Sequence, residues 1–327
     1  VIAKIRVDGD GLSNTFGALS FQTSTTPDSP SEAMRLDRNG AATFSSTING
    51  VGILADTTNF TDSILISQNA STGTLSSASN NTGLGDSVFA ALTSGTNNTA
   101  VGKAALNATT TGANNTAVGR EAMISNTTGA SNVGIGSTSL DANTSGSFNT
   151  AVGQASLTAN TTASNNTALG YAALLLNTTG ADNVGVGVDA LRSNTTGTPN
   201  TAVGHEALKS NTTGNSNVAV GGGALEANTT GGGNTGIGRQ ALDANTTADH
   251  NTAVGFASMT STTTGTQNTS VGSVSFQQNT TGQLNTAIGY AALNANSTGS
   301  NNSAVGNSAL AANTTAANNT AVGFSAL

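Results

Sequence analysis

The chain has no cysteine, no tryptophan and only 3 prolines among its 327 residues. Without cysteine, a disulfide framework and a thiolate metal site are both excluded. Charged residues make up 8% of the chain, against roughly 25% in an ordinary soluble domain, and a chain this poor in charge and proline does not fit intrinsic disorder. The aromatic content of 3% and the hydrophobic content of 35% are too low for the core of a globular enzyme of this length.

The patterns of charge and hydropathy limit the partners of the chain. Lys and Arg number 9 against 16 Asp and Glu, which gives a net charge of −7 without any basic cluster. Nucleic acid and anionic membrane surfaces are therefore not expected as partners. No apolar run approaches the roughly 18 residues of a membrane span, so no membrane insertion is expected. The first residue is Val1 and no signal-peptide pattern follows it, so we expect a fragment or a processed product.

A tandem repeat of 17 residues occupies the chain from residue 81 to its end. Each copy has an Asn, then Val, Ile or Leu three residues later, then an invariant Gly, and finally Leu, Met or Phe four residues after that Gly. The consensus is N-T-A-V-G-x-x-A-L-x-x-N-T-T-G-x-x, in fifteen copies without insertion or deletion. The repeat glycines are Gly85, Gly102, Gly119, Gly136, Gly153, Gly170, Gly187, Gly204, Gly221, Gly238, Gly255, Gly272, Gly289, Gly306 and Gly323.

This period predicts an all-β chain that forms a parallel β-solenoid or β-roll with 17-residue coils. Helix-pair repeats need about 33 to 47 residues and propeller blades about 40, whereas 17 residues suit two short strands and two turns. In N-T-A-V, Thr and Val share one face of the strand while Asn and Ala share the other. Because Val replaces Thr at Val133, Val184 and Val218, we expect the Thr and Val rows to face inward. The Gly then provides a turn with positive φ or a close backbone approach, and N-T-T-G provides the second turn.

Two further rows of the repeat have structural interpretations. The repeated Asn predicts a ladder of side-chain amides, as in other stacked strands, in preference to a set of glycosylation acceptors. The residue two before each Gly is always Ala, Gly or Ser. On the outward face that the alternation predicts for it, such a small residue indicates close packing of a second backbone, and hence a symmetric homo-oligomer. The alternative is that a loop of the same chain covers this face.

The first 80 residues do not follow the repeat. Residues 1–48 alternate like β-strands, at 3–7, 18–23, 33–37 and 41–48, and predict an N-terminal strand module. Residues 49–80 are expected to connect this module to the solenoid or to cap the solenoid, and residues 81–327 are expected to form the solenoid itself. Because the chain stops within the fifteenth coil, with strand edges open to pairing, we expect more protein to follow.

Several segments resemble bacteriophage tail fibres. E-A-M-R-L-D at 32–37, followed by Asn39-Gly40, resembles a segment common in those proteins, and 61–75, with D-S-I-L-I and T-G-T-L, resembles the lead-in to the fibre repeats of marine phages. The N-T-A-V-G-x-x-A-L repeat is similar to those fibres across 81–327. It is also similar to the S-V-A-I-G head repeats of trimeric autotransporter adhesins, although their period is shorter.

The resemblance implies a fibre shaft located in the virion, a homotrimeric rod that presents receptor-binding regions to a glycan or protein receptor on the host surface. Other virion proteins would then be its partners. A bacterial surface adhesin, located at the cell surface, is the alternative.

No enzymatic, metal or cofactor site is expected. The two histidines, His205 and His250, are 45 residues apart, which is not a multiple of 17, so they belong to different rows and cannot stack into a metal site. The acidic residues of the repeats are scattered singly, and we expect some to pair with basic residues on neighbouring coils. A depolymerase spike remains a further alternative.

The position after the repeat Gly is the most variable and predicts a contact surface. Aromatic side chains there could stack on sugars, and the candidate receptor contacts are Tyr171, His205, Phe256 and Tyr290. The alternative is packing between chains or onto the next coil.

Ice binding is another function that regular Thr rows on a flat β-face would suit. Two features count against it: the Thr residues are adjacent in N-T-T instead of alternating, and one Thr row is predicted to face inward.

Overall fold

A computed structural model describes residues 2–9, 16–24, 31–37, 42–44, 52–57, 59–67 and 72–327, with side-chain environments from residue 59 onward. These residues contain β-strands and turns and no helix. The predicted fold class, an all-β parallel β-solenoid of about fifteen 17-residue coils, is confirmed. We number the positions of each coil from 1, the repeated Asn, to 17.

Each coil contributes one strand of three residues. Every strand pairs in parallel with the next in a register of 17 residues, as in Thr201↔Val218 and Val203↔Val220. The strands are β8 (Thr82–Leu84), β9 (Thr99–Val101), β10 (Thr116–Val118), β11 (Val133–Ile135), β12 (Thr150–Val152), β13 (Thr167–Leu169), β14 (Val184–Val186), β15 (Thr201–Val203), β16 (Val218–Val220), β17 (Thr235–Ile237), β18 (Thr252–Val254), β19 (Thr269–Val271), β20 (Thr286–Ile288), β21 (Ser303–Val305) and β22 (Thr320–Val322).

The prediction of two strands per coil is wrong, because the rest of the coil turns too often. After the strand, the chain takes positive φ at positions 5, 7 and 9, as at Gly102 (127°), Ala104 (57°) and Leu106 (49°). A strand needs successive extended residues, and no such stretch remains in this part of the coil.

The earlier strands form two groups. Four antiparallel strands pair in the order β1 (Ile2–Gly9), β2 (Phe16–Ser24), β3 (Ser31–Asp37) and β4 (Ala42–Phe44). They match the four strands predicted from the alternation, although residues 41 and 45–48 of the fourth lie outside the described residues. The second group is β5 (Gly52–Thr57), β6 (Phe60–Ser67) and the short β7 (Ala78–Ser79).

Strand β6 is the strand on which the parallel stack of coils begins. It pairs in parallel with β8, with Leu65 opposite Gly83, and on its other edge it pairs with β5 in antiparallel orientation. Ser63 Oγ accepts the Asn81 N–H at 2.8 Å, in the place that an Asn Oδ1 takes in every later coil. The boundaries predicted for the three regions of the chain stay predictions.

The predicted inside and outside of the strand are reversed in the structure. The small residues of position 3 are buried in all fifteen coils, whereas the Thr and Val rows of positions 2 and 4 lie on the outward face. The coil is narrow, and the side chain of position 9 fills it. A Cβ added to Gly83 would lie 3.1 Å from Phe89 Cδ2, and one added to Gly236 would lie 3.3 Å from Leu225 Cγ.

The width of the coil interior therefore accounts for the restriction of position 3 to small residues. The argument from these residues to a second packed chain is wrong, because they do not face outward.

Candidate functional site

The invariant Gly at position 5 determines the place and direction in which the side chain of position 6 leaves the backbone. Gly204 has a φ of 140°, and a Cβ on it would lie 2.6 Å from the carbonyl oxygen of Gly221 in the next coil. Both the positive φ and the close approach predicted for this glycine are present, and either excludes a side chain. The residue at position 6 then projects from the same edge of every coil.

Two ladders of buried Asn side chains hold the coils together, as predicted for the first of them. Asn115 Oδ1 accepts the backbone N–H of Asn132 at 3.0 Å, and the equivalent bond occurs at every step from Asn98 to Asn319. The second ladder is the Asn of N-T-T at position 12, where Asn143 Nδ2 donates to Asn126 Oδ1 at 2.8 Å.

In the coils that have Asn at position 12, the two ladders meet at one carbonyl. Gly129 O accepts Asn115 Nδ2 at 2.9 Å and Asn126 Nδ2 at 3.1 Å. Because these buried polar groups are satisfied within the chain, the coil spacing is fixed from inside, and the outward rows are held at a regular distance of about 4.8 Å per coil.

The threonines of positions 2 and 13 differ in how their hydroxyls are used. At position 13 the hydroxyl is used within the solenoid, as where Thr110 Oγ1 donates to Thr127 O at 3.2 Å. At position 2, in the coils from residue 81, no Thr hydroxyl donates a hydrogen bond to another group of the chain. These hydroxyls therefore remain available to whatever contacts the strand face.

The outward face of the strands, formed by positions 2 and 4, carries no charged residue at any of its thirty positions. Position 4 holds an unbroken row of Val, Ile and Leu, and Val203 and Val220 on adjacent coils are each 37% exposed. Charge is depleted at the centre of protein interfaces as well, so this face has the composition of a contact surface.

Position 6 brings the predicted receptor contacts into one row. Tyr171, Phe256 and Tyr290 are 53%, 48% and 57% exposed, and His205 is also exposed. Tyr171 and His205 lie two coils apart, as do Phe256 and Tyr290, while five coils separate Tyr171 from Phe256. The prediction that these side chains bind a receptor stays a prediction.

Two more members of this row were not among the predicted contacts. Phe324 is exposed, two coils beyond Tyr290, and the Arg239 guanidinium lies 5.9 Å from the ring centroid of Phe256. The 34-residue spacing of Phe256, Tyr290 and Phe324 was the available signal, and it becomes meaningful once each repeat is known to be one coil.

Ion pairs cluster on one edge of the central coils. Lys209 Nζ lies 2.6 Å from Glu206 Oε1 and 4.0 Å from Glu226 Oε1, and Arg192 Nε lies 3.4 Å from Asp189 Oδ1. Most of these pairs form within one coil, and only Lys209 with Glu226 joins two coils as expected. The hydrogen bond with Lys209 lowers the pKa of Glu206 and raises that of Lys209.

Three carboxyl groups at position 10 have raised pKa values. Burial raises the pKa of Asp141, to which the charge of Glu121 also contributes, and burial alone raises that of Asp243. For Glu226 burial is again the first cause, followed by the charges of Glu206 and Asp243. The folding stability of the chain therefore depends on the protonation of these groups.

Within residues 59–67 and 72–327, no three His, Asp or Glu side chains are grouped closely enough to hold a metal ion. His205 and His250 lie at positions 6 and 17 of their coils, as the sequence predicted. Among the described residues, no helix has the length and apolar character needed to span a membrane.

Comparison with known proteins identifies no relative. No family model matches the chain, and neither a curated protein nor a solved structure does.

Proposed function

We propose that the chain is the shaft of an attachment fibre, a stiff rod on a virion that presents binding groups to the host surface. The supporting observation is the unbroken register of fifteen coils, without one inserted loop. Fourteen steps of about 4.8 Å extend the solenoid by roughly 67 Å. The internal Asn ladders resist bending, and each outward group recurs along the axis, which favours multivalent contact.

The same proposal includes a homotrimer. Its support is the outward aliphatic row at position 4, since a row of exposed Val, Ile and Leu without charge is suited to burial against equivalent rows of other copies. The host ligand is a glycan or a protein on the cell surface, and other virion proteins hold the rod.

The location of the rod tests this function. An antibody raised against residues 81–327 should label fibres projecting from virus particles in immuno-electron microscopy of the source culture. Labelling of the bacterial envelope would instead support a surface adhesin. A compact particle of the purified chain in negative stain, or labelling of neither structure, would overturn the fibre proposal.

Ice binding is a second candidate, favoured by the orientation of the Thr row. The Thr residues of position 2 face outward with free hydroxyls, and they alternate with the aliphatic row of position 4 in a lattice of about 4.8 by 6.7 Å. One objection drawn from the sequence, an inward Thr row, is therefore removed. Thermal hysteresis of the purified chain, lost on substitution of Thr201 and Thr235 by Lys, would support ice binding, and its absence would exclude it.

A further inference from the structure

Aromatic side chains are concentrated in a single outward row. The coils from residue 81 contain seven aromatic residues, of which Phe89 and Phe276 are buried at position 9. Four of the five exposed ones lie at position 6, and both tyrosines of the chain are among them. Phe148 is the exception, at position 17. Exposed aromatic surface is costly in water, so its concentration in one of the outward rows indicates a ligand.

The last three rings are evenly spaced along the axis. Phe256, Tyr290 and Phe324 occur at every second coil, with Ser273 and Asn307 between them. At about 4.8 Å per coil, successive rings are separated by roughly 9.6 Å. The spacing is fixed because the backbone carbonyl of each row member before Phe324 is hydrogen-bonded to the next coil. Phe256 O accepts the Val274 N–H at 2.9 Å, and Tyr290 O accepts the Ser308 N–H at 2.9 Å.

This spacing suits an extended polysaccharide. In a β-1,4-linked glycan of pyranose rings with equatorial linkages, alternate sugars turn over, so the same apolar face returns at every second sugar. The disaccharide repeat of such a chain is close to two coils of this solenoid. Rings at alternate coils can therefore stack on every second sugar, while the side chains of Ser273 and Asn307 face the sugars between and offer hydrogen bonds to their hydroxyls.

The electrostatics of these coils select a neutral ligand. Residues 251–327 contain no Asp, Glu, Lys, Arg or His. An anionic glycan would find no cationic partner beside Tyr290 or Phe324. The nearest charge along the row is Arg239, whose guanidinium is already engaged over the ring of Phe256 and helps to fix that ring by a cation–π contact.

We propose that Phe256, Tyr290 and Phe324 form a binding platform for a neutral β-1,4-linked glycan, which lies parallel to the rod axis with one disaccharide for every two coils. The platform deepens the proposed attachment function, and as a receptor site it rests on that function. It accounts for two of the four predicted contacts, while Tyr171 and His205 lie outside it.

Titration calorimetry of the full chain with cellohexaose and with chitohexaose tests the platform. We expect at least one of them to bind, with an affinity unchanged between low and high salt, and maltohexaose, whose α-linkages curve the chain, not to bind. Tyr290→Ala should weaken binding about threefold to tenfold, the value of one aromatic contact. Phe148→Ala removes an exposed ring outside the row and should leave affinity unchanged.

A variant in which Ser273 and Tyr290 exchange their side chains separates the effect of ring spacing on binding from the effect of aromatic content. Ser273→Tyr combined with Tyr290→Ser keeps the composition of the row but breaks the alternate-coil spacing, so it should lose as much affinity as Tyr290→Ala. Circular dichroism spectra and thermal midpoints of all variants should match the parent, because the side chains are exposed.

Three results would overturn the platform: no binding of either β-linked hexasaccharide at millimolar concentration, equal losses for Phe148→Ala and Tyr290→Ala, or full affinity of the exchanged variant. The fibre proposal is tested separately, because antibody labelling of rods on virus particles would support it whether or not a hexasaccharide binds.

Discussion

Thr262 interrupts the second Asn ladder, and the consequence is visible on both sides of it. Asn245 Oδ1, which would accept an amide from position 12 of the next coil, has no hydrogen-bond partner. Asn279 Nδ2 reaches Thr262 Oγ1 only at 3.4 Å. A threonine hydroxyl cannot both donate to the preceding Asn and bind the carbonyl of its own coil, as an amide with two N–H groups does.

Thr262→Asn should therefore stabilise the solenoid. The new amide would donate to Asn245 Oδ1 and to Gly265 O, as the Asn of neighbouring coils does, and a satisfied buried acceptor is worth about 1 kcal/mol. The midpoint of urea unfolding should rise. Asn211→Thr, which creates the same interruption in an intact part of the ladder, should lower it by a similar or larger amount. Equal midpoints for the three proteins would contradict the ladder as a source of stability.

The half-buried carboxyl groups of position 10 make stability depend on pH. A raised folded-state pKa means that the folded chain holds the proton more tightly than the unfolded chain. The resulting stability is fully present below the unfolded-state pKa of about 3.9 and is lost as pH rises through the folded-state pKa. Glu206, whose pKa is lowered, acts in the opposite sense, and its contribution is lost as pH falls.

Asp141→Asn with Asp243→Asn should raise the unfolding midpoint at pH 7 and reduce its fall between pH 4 and pH 7. At the equivalent position, Asn107 Nδ2 donates to Ser87 O at 2.8 Å and Asn294 Nδ2 to Val274 O at 2.8 Å. Each new amide should thus add a hydrogen bond worth about 1 kcal/mol. Asp182→Asn with Asp249→Asn, an equal change of two charges at exposed side chains, is the control. A pH profile identical to that of the parent would refute this assignment.

At the scale of the coil, the turn after each strand depends on a glycine without a tolerated substitute. Gly204→Ala places a side chain at a φ of 140° and at 2.6 Å from the next coil, so it should destabilise the chain by at least about 2 kcal/mol. Gly222 has no positive φ, and an added Cβ would find its nearest neighbour, His205 O, at 3.9 Å. Gly222→Ala should change stability by no more than about 0.5 kcal/mol.

Denaturant unfolding of these two variants compares a required glycine with an incidental one in adjacent coils. Equal stabilities would show that the solenoid absorbs a side chain at position 5, against the geometry described above.

The period, the parallel solenoid, the turn glycine and the Asn ladder could all be predicted from the repeat, because each follows from spacing and residue type. The number of strands per coil could not, since positive φ at Ala104 and Leu106 contradicts their ordinary preference and arises from stacking on neighbouring coils. The ion pair between Glu206 and Lys209 could not be predicted either. These residues are three positions apart within one coil, and they meet because the turn brings positions 7 and 10 together.

For the whole molecule, the outward aliphatic row predicts self-association. Light scattering of the purified chain should give a mass three times the 31.8 kDa of one chain. Val203→Lys with Val220→Lys places charge on this row in adjacent coils and should give monomers with an unchanged circular dichroism spectrum. Thr213→Lys with Thr230→Lys, at exposed positions of the same two coils, should remain trimeric. A monomeric parent would remove the trimer from the proposal.

The sequence by itself determined the rod: fifteen equal spacings admit one stacked coil per repeat, and Asn and Gly in fixed rows specify how coils join. Only the tertiary structure decided which face of the strand points into the coil. Alternation assigns Thr with Val to one side and Ala to the other, but the choice between the sides depends on the width of the coil. Because the Leu of position 9 already fills that width, only Ala, Gly or Ser fits beside it, and the larger Thr and Val face outward.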